Sequence, residues 1–423
     1  MIRLSFLGAC NEVGRSATLV EAENQRILID YGSKINVKPT QYPKSVNGRI
    51  NAVLLSHAHL DHSGAIPILF HEGKDCPVYA LNITKPFSKM LYLDSLKIAR
   101  HEGEEERFSK KDVNKAIRHF KSIEYRQPFH VGNIRVTAFD AGHIPGSAMY
   151  LLEIKRKKIL YACDFNLQDT RLIKGADLDL PQVDILITES TYAQREHPDR
   201  EKEERKMIDV IEETIANDGI ALISCFAIAR TQEVLLILDE YEIEEDIYID
   251  GMAKKATRII NDYPRLLRDY NQVEKALHRL NVEFVTRGLK RKKIVKRPCI
   301  ILTTSGMLSG GPVVDYLERI YDKKNCSLIL TGFQVPGTEG ALLLQTGHYL
   351  HEDLDLEVKM NVRKFDFSSH ASRTDLFRFA RRLNPEKIFC VHGDNTVRYA
   401  EELREEYGFD ATAPIDSRVF KLV

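Results

Sequence analysis

No apolar run in the 423-residue sequence reaches the length needed to cross a bilayer, which excludes a protein built on membrane-spanning helices. The opening residues Met1 to Gly8 are too short and polar for a secretory signal, so the cytoplasm is the expected location. Cysteine is sparse and unpatterned: seven thiols, odd in number and never spaced Cys-x-x-Cys. Most of them, Cys163 included, sit in apolar strand-like runs, as buried thiols of a reducing compartment do, and a disulfide scaffold is excluded. Net charge is absent too. With 61 basic and 61 acidic residues, any hold on a polyanion must come from local patches. There is no internal repeat or low-complexity tract.

What is present is the composition of a globular protein, 43% hydrophobic and 29% charged, long enough that two domains are expected. Short strands joined by small turns come first (Arg3 to Leu7, Thr18 to Glu21, Arg26 to Asp30), as at the edge of a sheet. Two helix-like stretches follow, near Thr84 to Arg100 and Lys110 to Phe120, before strands return at Ile134, Tyr150, Ile159 and Ile185. After Tyr192 the pattern changes to alternating strand and helix from Ala221 to Leu330, which implies a parallel sheet with flanking helices. The expected organisation is a first domain over 1–193, an inserted α/β domain over 194–347, and a return to the first domain over 348–423.

One stretch dominates the chemistry. Ser56-His57-Ala58-His59-Leu60-Asp61-His62 follows the apolar run Val53-Leu54-Leu55, so four potential metal ligands lie within six residues at a strand's carboxyl end. Imidazole and carboxylate without cysteine suit zinc and similar divalent ions in a catalytic setting, not a closed structural finger. A lone His-x-His would read as loop or capping residues; this cluster reads as a metal site that needs partners elsewhere. Asp30, His143, Asp164 and His392 each follow an apolar strand and precede small or polar residues. Side chains at the same ends of neighbouring strands can converge on one point.

These motifs resemble the metallo-β-lactamase superfamily and, within it, the β-CASP nucleases. Asp30 matches the first superfamily motif, His57 to His62 the second, His143 the third and Asp164 the fourth. Glu189, His370 and His392 match the three further β-CASP motifs. The metal loop is closer to the cleavage and polyadenylation endonuclease branch than to RNase J, and closest to its short archaeal homologues without RNA-binding KH domains. The fold implied is an αββα sandwich carrying an inserted α/β domain.

The resemblance implies one zinc ion on His57, His59 and His143, a second on Asp61, His62 and His392, and Asp164 bridging both. It places Asp30 behind the ligands as an orienting partner and pairs Glu189 with His370, the expected general acid. The implied activity is hydrolysis of RNA to 5′-phosphate and 3′-hydroxyl ends. Histidine at position 392 goes with RNA rather than DNA substrates. Endonuclease and 5′-to-3′ exonuclease action share this chemistry, so both stand. The other readings are a silent RNA-processing scaffold, a DNA nuclease and a small (thio)ester hydrolase. Single-stranded RNA is the expected partner, in a cleft between the domains, with a homodimer and RNA-processing or exosome-type proteins beside it.

Weaker signals concern the substrate. Ser305 and Gly306, in a glycine-rich turn between a strand and a helix, could face a phosphate, or form only a tight turn. Arg230 begins a helix of the inserted domain and is a candidate RNA contact. Ser368 and Ser369 could hold a phosphate oxygen or cap the helix that starts near Arg373. The basic run from Arg287 to Arg297 reads equally as a phosphate-neutralising patch and a solvated face.

Overall fold

The computed structural model describes residues 1–162, 164–286 and 288–422, so Cys163 and Arg287 lie outside the described residues. It divides into two compact units. The first comprises Met1–Asp169, Gly175–Glu196 and Ser369–Val423, and the second Thr170–Lys174 and His197–Ser368.

The first unit holds two seven-stranded sheets. Strand alternation explains their layering. In Gln25–Ile29 the residues Ile27 and Ile29 face one way and Leu28 the other; Ile159 and Tyr161 of Lys157–Ala162 likewise oppose Leu160 and Ala162. The inward sets of both sheets share one apolar core. The outward sets pack under helices: Ile66–His71, Thr84–Glu102 and Lys110–Arg118 on the first sheet, Arg373–Leu383 and Thr396–Tyr407 on the second. The result is an αββα sandwich. Each fully buried Ile or Leu between the layers contributes about 1.5–3 kcal/mol against exposure. The first strands do not form the edge of their sheet, because the carboxyl-terminal strand Val419–Leu422 pairs antiparallel outside Ile2–Phe6.

This layering sets the site. Gln25–Ile29 runs parallel to Ala52–Leu54, and Lys157–Ala162, Ile185–Glu189 and Lys387–Val391 run parallel in that order, with Ala162 opposite Thr188 and Glu189 opposite Val391. Strands that are parallel and in step end together. Asp30, His57, Asp164 and His392 therefore all follow carboxyl ends on the same rim.

The second unit is a six-stranded parallel sheet with flanking helices and a separate two-stranded hairpin. It runs on to Ser368, past the expected return at 348. The reason is packing: Asn361–Lys364 pairs in parallel with Ser327–Leu330, and Tyr349 and Met360 belong to this unit's core. The short excursion Thr170–Lys174 is held here as well, since Glu233 accepts the backbone N–H groups of Arg171 and Leu172 at 2.9 and 2.8 Å. The six described cysteines are free, five of them buried. Among the described residues no helix is long and apolar enough to cross a membrane.

Candidate metal centre

His57 and His59 leave the strand Ala52–Leu54 in an irregular loop, and the short helix Leu60–Ser63 then turns Asp61 and His62 back toward them. Gly32 makes this possible: a Cβ there would lie 1.7 Å from the Asp61 carbonyl oxygen, so the turn after Asp30 packs directly on the ligand helix. Asp30, Asp164 and His392 all adopt left-handed backbone, with φ of 57°, 52° and 48°. That conformation, which Asp and His adopt more readily than most side chains, turns the backbone sharply at each of the three strand ends.

The donor atoms form two groups that share Asp164. His57, His59, His143 and Asp164 have ligand atoms within 4.8 Å of one another, as do Asp61, His62, Asp164 and His392. In the first group His59 Nδ1 lies 3.1 Å from both His57 Nε2 and His143 Nε2. The opposite ring nitrogens are already engaged. His143 Nδ1 donates to the Ser369 carbonyl at 2.8 Å, and His57 Nδ1 lies 3.0 Å from Ser56 Oγ. Ring N–H groups tied down outside the centre leave bare nitrogen lone pairs inside it, the arrangement of a histidine metal ligand.

Electrostatics make the same point. Burial, with the neighbouring imidazoles, holds His57 and His143 well below the ordinary histidine range, and burial lowers His59 too. These rings are neutral, as ligands must be. In the second group burial also opposes charge on His62 and His392. There it is outweighed by Asp164 first, helped by Asp61 and, at His62, by Asp30. His62 ends well above its usual range and His392 is pushed up to about 10. The carboxylates thus draw positive charge to a spot where the buried His62 Nε2 and His392 Nε2 face carboxylate oxygens, Asp164 Oδ2 at 3.2 Å and Asp61 Oδ2 at 3.4 Å. Buried imidazole nitrogens and carboxylate oxygens turned toward one another form the donor set that divalent cations take, and these seven side chains supply it twice over, with Asp164 in both groups. The residues fit one or two such ions.

Asp30 stands behind the ligands and is absent from both donor groups. It is fully buried, and its carboxylate accepts from Ser56 N–H (2.7 Å), Ser56 Oγ (2.8 Å), Tyr161 OH (2.8 Å) and His62 Nδ1 (2.8 Å). Its work is to aim His62. Glu189 is buried and doubly held: Oε1 accepts the Phe165 N–H at 2.7 Å, and Oε2 lies 3.0 Å from His370 Nδ1. The His370 ring sits 4.6 Å from the His143 ring. Burial opposes its protonation, yet the Glu189 and Asp164 carboxylates prevail and raise its pKa.

The residues proposed for substrate divide differently. Ser369 orients His143 through its carbonyl, and Ser368 N–H is spent on Asp366 at 3.1 Å. Neither caps the following helix, since Ser372 does so, accepting from Asp375 N. In the second unit the Ser305 carbonyl accepts from Ser224 Oγ at 2.6 Å, and Gly306 lies so close to Phe226 that a Cβ would stand 3.0 Å from its nitrogen. Arg230 does open the helix Arg230–Glu240. It is partly buried, and burial and then Arg200 push its pKa down to about 10 beside Glu233 and Asp366. Much of the basic run serves its own unit: Lys290 pairs with Glu283, Arg291 with Asp250 (2.7 Å) and Arg297 with Asp246 (2.9 Å).

Sequence reasoning passed over Ser56, Tyr161 and Thr191. Tyr161 reads as an inward-facing core aromatic, and only the rule that a buried phenol needs a partner hints at Asp30. Thr191 Oγ1 lies 3.3 Å from His392 Nδ1.

Asp140, at the end of Ile134–Asp140, shapes the turn into His143 by accepting the Gly142 N–H at 2.9 Å. Burial, aided by the Asp177 charge, outweighs the bonds from Gly142 and Tyr125 and pushes its carboxyl up to about 7. A folded-state pKa above the unfolded value of about 3.9 means stability that is complete below pH 4 and lost as pH rises through about 7. Asp140→Asn is therefore expected to remove about 2 kcal/mol of the pH dependence of stability between pH 5 and 8. Thermal unfolding at both pH values checks this; an unchanged slope would refute it.

With this geometry in view, the comparisons are specific. Residues 19–190 match the Metallo-beta-lactamase superfamily domain, 231–343 the Beta-Casp domain, and 355–414 the Zn-dependent metallo-hydrolase RNA specificity domain. The chain is 39% identical over 425 residues to "Probable RNase MJ4" of Methanocaldococcus jannaschii, covering 98% of each chain. It is 33% identical over 451 residues to "Transcription termination factor FttA" of the same organism, covering 98% of this chain and 71% of that one. A crystal structure of a protein of unknown function from Enterococcus faecalis V583 shares the fold, with a TM-score of 0.61 at 15% identity and full coverage of both chains.

Proposed function

Because the chain belongs to the metallo-β-lactamase superfamily, in its β-CASP branch, we propose that it is a two-zinc ribonuclease, hydrolysing RNA phosphodiester bonds to 5′-phosphate and 3′-hydroxyl ends. The observation that carries this reading is the pair of donor groups meeting at Asp164 with His370 and Glu189 beside them. His57, His59 and His143 would hold one ion, Asp61, His62 and His392 the other, and Asp164 both. Nitrogen and oxygen donors without thiolate suit zinc. When bound, such a pair of ions lowers the pKa of water toward about 7 and neutralises charge on the reacting phosphate oxygens.

The remaining work falls to the chain's own side chains. His370, kept protonated by Glu189, donates a proton to the departing 3′ oxygen. Asp30 fixes the tautomer and direction of His62, and Ser369 those of His143. RNA is favoured as substrate by the ribonuclease names of the relatives and by the match to an RNA specificity domain. Ser368, Ser369, Arg230, Ser305 and Gly306 are the proposed substrate contacts. A homodimer working with RNA-processing or exosome-type partners in the cytoplasm is the proposed setting.

The test is product mapping with zinc-loaded protein on single-stranded RNAs labelled at either end and bearing 5′-hydroxyl, monophosphate or triphosphate. Cleavage to 5′-phosphate ends is expected. Length-ordered loss from the 5′ end marks exonuclease action, and internal cuts mark endonuclease action. RNA left intact where a control nuclease works would sink the proposal.

A further inference from the structure

The helix Arg373–Leu383 starts just after His370 and runs for about 15 Å. Its outer side borders a cavity of about 620 Å³ whose lining includes Arg373, Phe377, Arg378, Arg381 and Arg382 of this helix and Tyr407 of Thr396–Tyr407. These helix positions form two adjacent stripes at i, i+4 spacing, so their side chains share one face. No carboxylate lines the cavity among the described residues. The arginines are not equivalent. Arg373 is committed to the fold, donating to the Ala193 carbonyl at 2.8 Å and to Glu402 at 2.5 Å. Arg382 gives its Nε–H to the Leu178 carbonyl at 3.1 Å. Arg378 reaches only as far as Asp375 at 3.6 Å, and Arg381 lies over the half-exposed Tyr407 ring at 5.6 Å.

We infer that this groove is a second RNA-binding surface, holding single-stranded RNA outside the scissile position along the helix that leads away from His370. The inference rests on the ribonuclease reading for the identity of its ligand. The exposed guanidinium groups keep their N–H edges for phosphate oxygens, and a carboxylate-free arginine face complements the backbone of a single strand without regard to sequence; the Tyr407 ring, packed on Phe377 at 5.2 Å and covered by Arg381, holds that arginine in place and leaves its partly exposed edge beside the strand.

The test compares the wild type with Arg378→Glu/Arg381→Glu, both exposed positions away from the metal donors. A fluorescent, uncleavable 2′-O-methyl 20-mer reports binding, and turnover of an RNA tetranucleotide reports the centre. The double variant should bind the 20-mer about 10-fold or more weakly, with the slope of log affinity against log salt shallower by about 1.4, the value for two lost phosphate contacts on a single strand. Tetranucleotide turnover should be unchanged, which also shows that the variant is folded. The charge-neutral Arg378→Ala/Arg381→Ala should show the same loss in smaller measure, and Tyr407→Ala should weaken binding with the salt slope intact. Unchanged 20-mer affinity and slope would overturn the inference, as would competition by poly-glutamate equal to that by poly-uridine, which would mark a surface for acidic protein. If the wild type cleaves no RNA at all, the ribonuclease proposal fails, while the 20-mer comparison still reads the groove.

Discussion

Asp164→Asn is expected to lower RNA hydrolysis by roughly 10³-fold or more, since loss of one group that stabilises reacting charge costs about 10²–10³ and this group serves both halves of the centre. Its Oδ2 lies 3.6, 3.7 and 3.2 Å from Nε2 of His57, His143 and His62, and its Oδ1 lies 3.0 Å from His392 Nδ1. No other side chain belongs to both donor groups. Asparagine keeps the shape and the left-handed backbone at φ 52° but removes the charge, so the variant separates electrostatics from packing. Bound zinc, measured by elemental analysis, should fall below two equivalents per chain, and chelation of the wild type should reproduce the loss in activity until zinc is returned. Two retained equivalents with full activity would show that the two groups do not act as one centre.

The positions of this centre were legible for a simple reason. A polar side chain that closes an apolar strand leaves a local mark, and Asp30, His57, His143, Asp164 and His392 all carry it. The layering was legible only through the family resemblance: Ile27, Leu28 and Ile29 are all apolar, so nothing local says that the two isoleucines face one core and Leu28 another. What resisted reading depends on partners distant in the chain. Nothing local in Thr170–Lys174 announces that its amides will meet Glu233, and the strand Asn361–Lys364 is too polar to declare its pairing with Ser327–Leu330. The charged neighbours of Arg230 were equally hidden, since Arg200, Glu233 and Asp366 act on it from distant points of the sequence. The partners of Asp30 were hidden for the same reason, since a hydroxyl such as Tyr161 OH shows its acceptor only once the two sheets are packed face to face.

His370 poses the sharpest choice, because it can also be drawn as part of a third donor group with Asp164 and Glu189. As a ligand it would be neutral and its loss would cost metal. As the general acid it must carry a proton, which the buried Glu189 carboxylate at 3.0 Å and the raised pKa favour. His370→Ala is therefore expected to slow RNA hydrolysis by about 10²–10⁴-fold while leaving the zinc content unchanged. The same variant should lose less than about 10-fold on a phosphodiester whose leaving group departs as a stable anion, since general-acid help is worth nothing where no proton is needed. Equal losses on both substrates, or departure of one metal equivalent, would make His370 a ligand. Because Glu189 also accepts the Phe165 N–H at 2.7 Å, its carboxylate stays anchored when His370 is removed, so the surviving rate reports the missing proton and not a collapsed site.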